Sequence, residues 1–171
     1  LRCDRSSDGL RIAFNTGSDG TSIPDDALRW LDLRNPSVVY EPVPNFHVDE
    51  FAFSMEGDRI AYIGHEKTSN MYGIYILDLP TGETRKIISI REGRSLSWSP
   101  DQESLAWIGQ LETSEQTEVL LVQVRTGLIA FQETLPEDTD DSSQDWPMSN
   151  WGKVFPTVMG GLGKCANPPQ E

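Results

Sequence analysis

The chain has 171 residues and a formal net charge of −13, with 27 acidic and 14 basic side chains. Such a charge disfavours nucleic acids and anionic membranes as partners. No apolar run approaches the roughly 18 residues of a membrane-spanning helix, so we expect a soluble chain that is long enough to bury a core. Because it starts at Leu1, we expect either a removed leader or a piece of a longer protein.

One short sequence pattern occurs three times. Its copies align without gaps, 48 and 45 residues apart, at residues 8–14, 56–62 and 101–107. A second match follows each copy, at residues 30–33, 75–79 and 121–124. A period of about 40 to 50 residues built from short apolar strands is typical of β-propeller blades.

Periodicity and turn residues predict four strands in each repeat. In the first repeat they cover residues 1–6, 10–16, 27–33 and 37–40. In the second they cover 51–54, 59–63, 71–79 and 84–90, and in the third 94–99, 104–111, 118–124 and 128–135. The sequence therefore predicts an all-β fold with three four-stranded antiparallel blades, at about 1–46, 47–92 and 93–135, which form a partial propeller.

The second strand of each repeat is continuously apolar, as expected for a strand between neighbouring blades, and its central alanine lets the sheets approach. Ser54 and Ser99 stand just before tight turns, where their hydroxyls can bond the turn backbone. The aromatic residues predicted between blades are Phe14, Phe53, Tyr62, Trp98 and Trp107.

Residues 136–171 do not align as a fourth repeat. This irregular C-terminal tail starts as an acidic linker, but Trp146, Trp151 and Phe155 are too apolar for a free tail. We therefore expect the tail to cover a blade edge, with one strand of another blade as the alternative.

The sequence contains two cysteines, Cys3 and Cys165, one near each end. A disulfide between them would tie the termini together, as the closing of a ring of blades requires. Two unrelated free thiols are the alternative.

Three segments resemble the repeat of TolB-like, WD-repeat-like propellers. They are Ser-Pro-Asp at 99–101, the apolar strand at 74–79 and the Thr-Gly-Glu turn at 81–83. The resemblance covers residues 1 to about 135 and is weakest in the first repeat, while the Gly-His and Trp-Asp dipeptides of WD repeats are absent. Blades of this kind serve periplasmic scaffolds, peptidase gating domains and lyases. The resemblance therefore implies a fold and a periplasmic or secreted location, but no reaction.

Propeller topology places two kinds of connection on one face: the loops after the second strands and the crossings between blades. This loop face comprises residues 15–26, 41–50, 64–72, 89–95, 109–118 and 133–145, with 17 of the 27 acidic residues. Its predicted basic residues are Lys67, Arg91 and Arg94. An acidic face attracts cations and basic proteins, although surface loops are often acidic without any function. We predict a basic protein segment or a divalent cation bound through Asp19, Asp25, Asp26, Asp49, Glu50, Glu112 and Glu115.

The start of the tail contains the densest group of acids. Asp138, Asp140 and Ser142 have the alternate spacing that begins a calcium loop. The sixth position lacks glycine and the twelfth is Ser149 instead of Glu, so a solvated linker is the expected structure and a calcium site the alternative.

We find no catalytic constellation in the sequence. Residues 93–97 lack the second glycine of a hydrolase elbow, and two histidines, His47 and His65, are too few for a dedicated metal site. We therefore expect a non-catalytic binding or scaffolding module without a cofactor. The alternative is a fragment of a larger enzyme, such as the gating propeller of a prolyl-oligopeptidase-like hydrolase.

Three blades do not close a ring, since propellers have roughly four to eight. The outer faces of the first and third blades, with Phe14 and Trp107, would then be exposed to water. We expect the chain to form a six-bladed ring with a second copy, or to be completed by another chain or by a missing part of its own precursor.

Overall fold

The computed structural model describes residues 2–15 and 27–135, and in these two ranges the chain forms eleven β-strands and no helix. Accordingly, no described segment is a helix that could cross a membrane. Every strand pairing is antiparallel. The predicted all-β fold of four-stranded blades is confirmed, whereas the tail at 136–171 lies outside the described residues and its edge-covering role stays a prediction.

The first blade is a small sheet whose strands pair in chain order. Its strands are β1 (Arg2–Arg5), β2 (Arg11–Asn15), β3 (Arg29–Asp32) and β4 (Val39–Tyr40). Trp30 and Tyr40, which are direct partners on β3 and β4, stack with ring centroids 4.3 Å apart.

The second and third blades share one long, bent strand. The remaining strands of the second blade are β5 (Phe46–Phe53), β6 (Arg59–Glu66) and β7 (Gly73–Asp78). The shared strand is β8 (Thr84–Trp98), followed in the third blade by β9 (Ser104–Leu111), β10 (Glu118–Gln123) and β11 (Ile129–Thr134). β8 pairs with β7 as far as Ser89 and with β9 from Ile90 onward. The two strands predicted at 84–90 and 94–99 are therefore one continuous strand.

Two apolar clusters fill the spaces between blades. The cluster between the first and second blades includes Ala13, Leu28, Phe51, Phe53, Ile60, Tyr62 and Leu77. The cluster between the second and third blades includes Ile63, Ile74, Trp98, Leu105, Trp107, Leu120 and Val122. Burial of apolar area against a neighbouring blade is the main stabilising term, since each blade is only one sheet thick.

The aromatic residue that ends the repeated pattern occupies two different environments. Tyr62 and Trp107 are fully buried, each against the preceding blade, but Phe14 is only half-buried. One expectation is therefore wrong, because Trp107 is not exposed on an outer face. Phe14 has no inter-blade core to join within the described residues, so its predicted place in such a core stays a prediction. The reason is that this side chain always points toward the preceding blade, and the described part of the chain has no blade before the first.

Each first hairpin is closed by a serine. The Oγ atoms of Ser54 and Ser99 accept hydrogen bonds from the backbone N–H groups of Arg59 (3.0 Å) and Ser104 (2.9 Å), which confirms their predicted role. Ser6 does the same in the first blade, where its Oγ accepts from the Arg11 N–H at 2.9 Å. The turn chemistry is thus the same in all three blades, although the first lacks the Ser-Pro-Asp sequence.

Side chains also link the innermost strands of neighbouring blades. The Trp98 indole Nε1 donates to the Ala52 carbonyl at 3.0 Å, and the Phe53 N–H donates to the Asp4 carboxylate at 2.9 Å. These bonds satisfy backbone groups at an inner sheet edge that has no further strand.

A β-bulge interrupts the first strand of the second blade and recurs in the third. The register shifts between Val48 and Glu50 on β5, and at the equivalent place between Arg94 and Ser97 on β8. Gly64 and Gly109 pair with the residues just before these shifts, and a Cβ atom on either glycine would collide with the carbonyl oxygen of His47 or Glu92. Glycine is therefore required at both positions, 45 residues apart.

Candidate functional site

The described part of the loop face consists of the β4–β5 crossing, the bend of β8 and the loops at 67–72 and 112–117. Asp19, Asp25, Asp26, Asp138, Asp140, Ser142 and Cys165 lie outside the described residues, so the predictions for them stay predictions. The partner of Cys165 in the predicted disulfide, Cys3, is half-buried on β1 opposite Phe14.

Two acids of the loop face are paired with arginines at strand ends. Arg2 on β1 forms an ion pair with Glu50 and donates to the Asp49 carbonyl at 3.1 Å. Arg29 on β3 pairs with Glu41, with 2.9 Å between Nε and Oε2. The predicted charge of the loop face is counted over loop residues alone. That count leaves out Arg2 and Arg29, because both arginines belong to strands. Glu50 is thus engaged within the fold, which makes it a weaker candidate for binding a partner.

The other described acids that were predicted to bind a partner have no such pairing. Asp49 lies at the β5 bulge, and Glu112 and Glu115 lie in the loop between β9 and β10; all three are exposed. No ion pair within residues 2–15 and 27–135 involves any of them. Within the part of the chain that the structure describes, these carboxylates are therefore not held by a basic side chain.

Acids on the opposite face are different. We call this the hairpin face; its tight turns lie at residues 6–10, 33–38, 54–58, 79–83, 99–103 and 124–128. Hydrogen bonds from Ser6 lower the pKa of Asp8, and those from Ser99 lower the pKa of Asp101. Arg34 lowers the pKa of Asp32 to about 2, and Thr81 lowers that of Asp78. These carboxylates stabilise turns.

The two histidines of the chain are direct cross-strand partners at the rim of the loop face. The ring centroids of His47 on β5 and His65 on β6 are 5.0 Å apart, and the Tyr72 ring is 4.6 Å from that of His65. The Nδ1 atom of His65 is 2.5 Å from the Ser69 carbonyl oxygen and 2.9 Å from that of Glu66. Both histidines are half-buried.

This pair could not be predicted from the sequence because a bulge changes the strand register. The hairpin register that pairs Phe53 with Ile60 would place His47 opposite Glu66, but the register shift moves the pairing by one residue and places it opposite His65. Gly64 is the signal that could have indicated the bulge, since the equivalent residue of the third blade, Gly109, also pairs with a residue just before a register shift. Among the described residues no group of three or more His, Cys, Asp or Glu side chains could hold a metal ion.

Comparison with known proteins defines the class of fold. No protein-family model and no curated protein matches the chain. The β-propeller domain of the Trilobed protease from Pyrococcus furiosus matches with a TM-score of 0.61 at 18% identity, over 81% of this chain and 43% of that one. TolB from Acinetobacter baumannii matches with a TM-score of 0.61 at 18% identity, over 80% of this chain and 33% of that one.

A third similar structure is the acylaminoacyl peptidase from Pyrococcus horikoshii, with a TM-score of 0.58 at 16% identity, over 75% of this chain and 24% of the peptidase. The chain thus spans less than half the length of each of these three structures. These likenesses confirm the predicted TolB-like β-propeller fold. At such identities they show the fold alone.

Proposed function

We propose that this chain is a non-catalytic binding module, a section of a β-propeller that holds a basic protein segment on its loop face. The observation that carries the proposal is the contrast between the two faces. Aspartates at the hairpin-face turns, such as Asp8 and Asp101, accept hydrogen bonds that close those turns, whereas Asp49, Glu112 and Glu115 are exposed and make no ion pair within the described residues. Charged groups that the fold does not need are available to attract a partner.

The spacing of these acids favours a polypeptide over a single cation. Asp49 belongs to the second blade, whereas Glu112 and Glu115 belong to the third. Calcium needs six to eight oxygen ligands around one point, and the described residues contain no group of three metal-ligating side chains. An extended segment with several Lys or Arg residues can reach both blades at once.

Charge-matched variants of the two faces test the proposal. The loop-face triple variant is Asp49→Asn, Glu112→Gln and Glu115→Gln; its control, with the same change in net charge, is Glu56→Gln, Glu83→Gln and Glu103→Gln on the hairpin face. At low salt we expect a fluorescent Lys/Arg-rich peptide to lose about tenfold in affinity with the first variant and at most about twofold with the control. Equal losses, or no binding by the unmodified chain, would contradict the proposal.

A second candidate is that the chain is the propeller part of a larger enzyme. It is supported by the likeness to propeller structures of proteases, of which the chain spans 43% and 24%. The sequence of the parent open reading frame distinguishes the two candidates. A downstream hydrolase domain with a Gly-x-Ser-x-Gly elbow would favour the enzyme, and its absence would favour the binding module.

The proposal includes a partner that covers the first blade. Ile12, Phe14 and Leu31 are half-buried, Val39 is 52% exposed, and the strand pairing places all four on the side away from the second blade. In a propeller this side packs against another blade, supplied by a second copy, by another chain or by the rest of the precursor. Light scattering tests this: a soluble monomer that binds no exposed-surface dye would contradict it.

We also place the module in the periplasm or outside the cell. A disulfide between Cys3 and Cys165 would persist only in such an oxidising compartment. Thiol labelling of the unfolded, unreduced chain tests both points, because two reactive thiols would contradict the bridge and remove this support for the location.

A further inference from the structure

The two histidine rings are close enough together to reach one metal ion. Imidazole rings that bind one tetrahedral zinc ion at about 2.0–2.1 Å have centres about 5 Å apart. The ring centroids of His47 and His65 are 5.0 Å apart. Their β-carbons are fixed at a short cross-strand distance because the two residues are direct partners on β5 and β6.

The hydrogen bonds of His65 determine which ring nitrogen can bind a metal. The atoms close to its Nδ1 are carbonyl oxygens of Ser69 and Glu66, which only accept hydrogen bonds. Nδ1 must therefore carry the proton, and in the neutral ring the lone pair is on Nε2. Metal-binding histidines are commonly oriented in this way, with the second ring nitrogen donating to a backbone carbonyl.

The backbone at His47 is held in place by close packing. The carbonyl oxygen of His47 lies where a Cβ atom on residue 64 would be, so only glycine fits at that position. The bulge next to His47 sets the strand register that brings the two rings together. An imidazole has two nitrogens, so His47 can bind a metal through one while the other makes a hydrogen bond.

We propose that His47 and His65 together bind one transition-metal ion that prefers imidazole, such as Zn²⁺, with water or a partner's side chain in the remaining positions. Imidazole favours zinc, copper and nickel over calcium and magnesium. The net charge of −13 raises the local concentration of any cation. The site does not depend on the proposed binding of a basic segment, since it uses neither Asp49 nor the acids of the third blade.

NMR tests the site directly, because the chain contains only two histidines. A ¹H–¹³C spectrum of the imidazole region should show two Cε1–H signals, one from each ring, and Zn²⁺ should shift or broaden both with an end point at one ion per chain. Because Cys3 and Cys165 can also bind zinc, the titration uses the oxidised chain and a Cys3→Ser, Cys165→Ser variant in parallel. Zinc that leaves either histidine signal unchanged in both samples would overturn the proposal.

Matched variants then measure the contribution of each ring. Calorimetry with Zn²⁺ should show an affinity loss of at least about tenfold for His47→Gln and for His65→Gln. Glu66→Gln and Asp49→Asn, which remove neighbouring charge but no imidazole, should change the affinity by less than about threefold, and Ca²⁺ should not compete. Thermal unfolding without metal identifies variants that do not fold. Equal losses for the histidine and the carboxylate variants would mean general attraction of cations and would overturn the site.

Discussion

The first blade differs from the other two in strand length and in burial. Its longest strand has five residues, whereas β5, β6 and β9 have eight each. Its second strand has two buried residues of five, whereas five of eight are buried in β6 and six of eight in β9. The second blade is covered on both sides, so long apolar strands are stable there. The third blade has no described blade after it, yet its β9 is the most buried of the three second strands, so the small buried area is particular to the first blade.

The aligned residues Phe14, Tyr62 and Trp107 show that position in the ring, more than sequence, determines burial. The repeat places an aromatic side chain at the same point of each second strand. Where a preceding blade exists, the side chain is fully buried, and where none is described it remains half-exposed. Within residues 2–15 and 27–135, the first blade therefore carries the residues of a packed interface without the other half of that interface.

Truncation of these aromatics should have the largest effect and tests the comparison directly. Trp107→Ala leaves a cavity between the second and third blades and should lower the free energy of unfolding by about 3–5 kcal/mol. Phe14→Ala should cost about 1 kcal/mol, since much of its ring is already in water. Urea unfolding of both variants checks this. A Phe14→Ala cost that matches the Trp107→Ala cost would mean that a partner or another part of the chain covers the first blade.

The bulges provide the next largest effect. Gly109→Ala and Gly64→Ala force a Cβ atom against the backbone of the bulged strand, and each should lower the free energy of unfolding by about 2–4 kcal/mol. Gly82→Ala is the control, because Gly82 has a φ of +73° but no atom near the added Cβ, so its cost should be about 1 kcal/mol. The first blade has no register shift between β1 and β2. Similar costs for all three variants would show that the bulges are not rigid.

Repeat periodicity and turn chemistry were sufficient to predict the blades. Most strand ends lie within about two residues of the prediction, because apolar runs and Ser, Asp or Gly turns mark them locally. The length of β5 and the continuity of β8 could not be predicted, since both depend on pairing across a bulge. The His47–His65 pair was missed for the same reason. The ion pairs of Glu41 and Glu50 were missed because their arginine partners are more than ten residues away.

Gln102 allows a smaller test of how blades are linked. It has a φ of +61° where the two earlier repeats have Gly9 and Gly57, at +71° and +69°. Its side chain offsets this strain by accepting from the Met55 N–H (2.7 Å) in the second blade and donating to the Ser99 carbonyl (2.8 Å). Gln102→Ala keeps the strain and loses both bonds, and should cost about 1–2 kcal/mol in unfolding free energy.

Gln102→Gly is the matched variant, because it loses the same bonds but removes the strained conformation. Its unfolding free energy should lie between those of the wild type and Gln102→Ala. If Gln102→Gly is the less stable of the two variants, the left-handed conformation is not a source of strain at this turn.

The smallest effect concerns the turn between the third and fourth strands in the first two blades. Asp32 and Asp78 stand at these turns, and a different side chain stabilises each of them. The pKa of Asp32 is lowered to about 2, first by the Arg34 side chain, and that of Asp78 is lowered first by the Thr81 hydroxyl. A carboxylate with a lowered pKa contributes stability above its ordinary value of 3.8, and this is lost as the pH falls through the folded-state pKa. The difference in free energy of unfolding between the wild type and Asp32→Asn should therefore become smaller as the pH falls from 3.8 to about 2.

Salt distinguishes the two hairpins. The Asp32–Arg34 pair is an exposed ion pair with 2.6 Å between Oδ2 and Nη2. High ionic strength should therefore reduce the loss of unfolding free energy caused by Asp32→Asn. The Asp78–Thr81 hydrogen bond, 2.8 Å between Oδ1 and Oγ1, joins a carboxylate to a neutral hydroxyl. The loss of unfolding free energy caused by Asp78→Asn should therefore depend less on salt. Thermal unfolding at neutral pH in low and high salt measures both. An equal salt response would show that Arg34 does not take over the role that Thr81 has in the second blade.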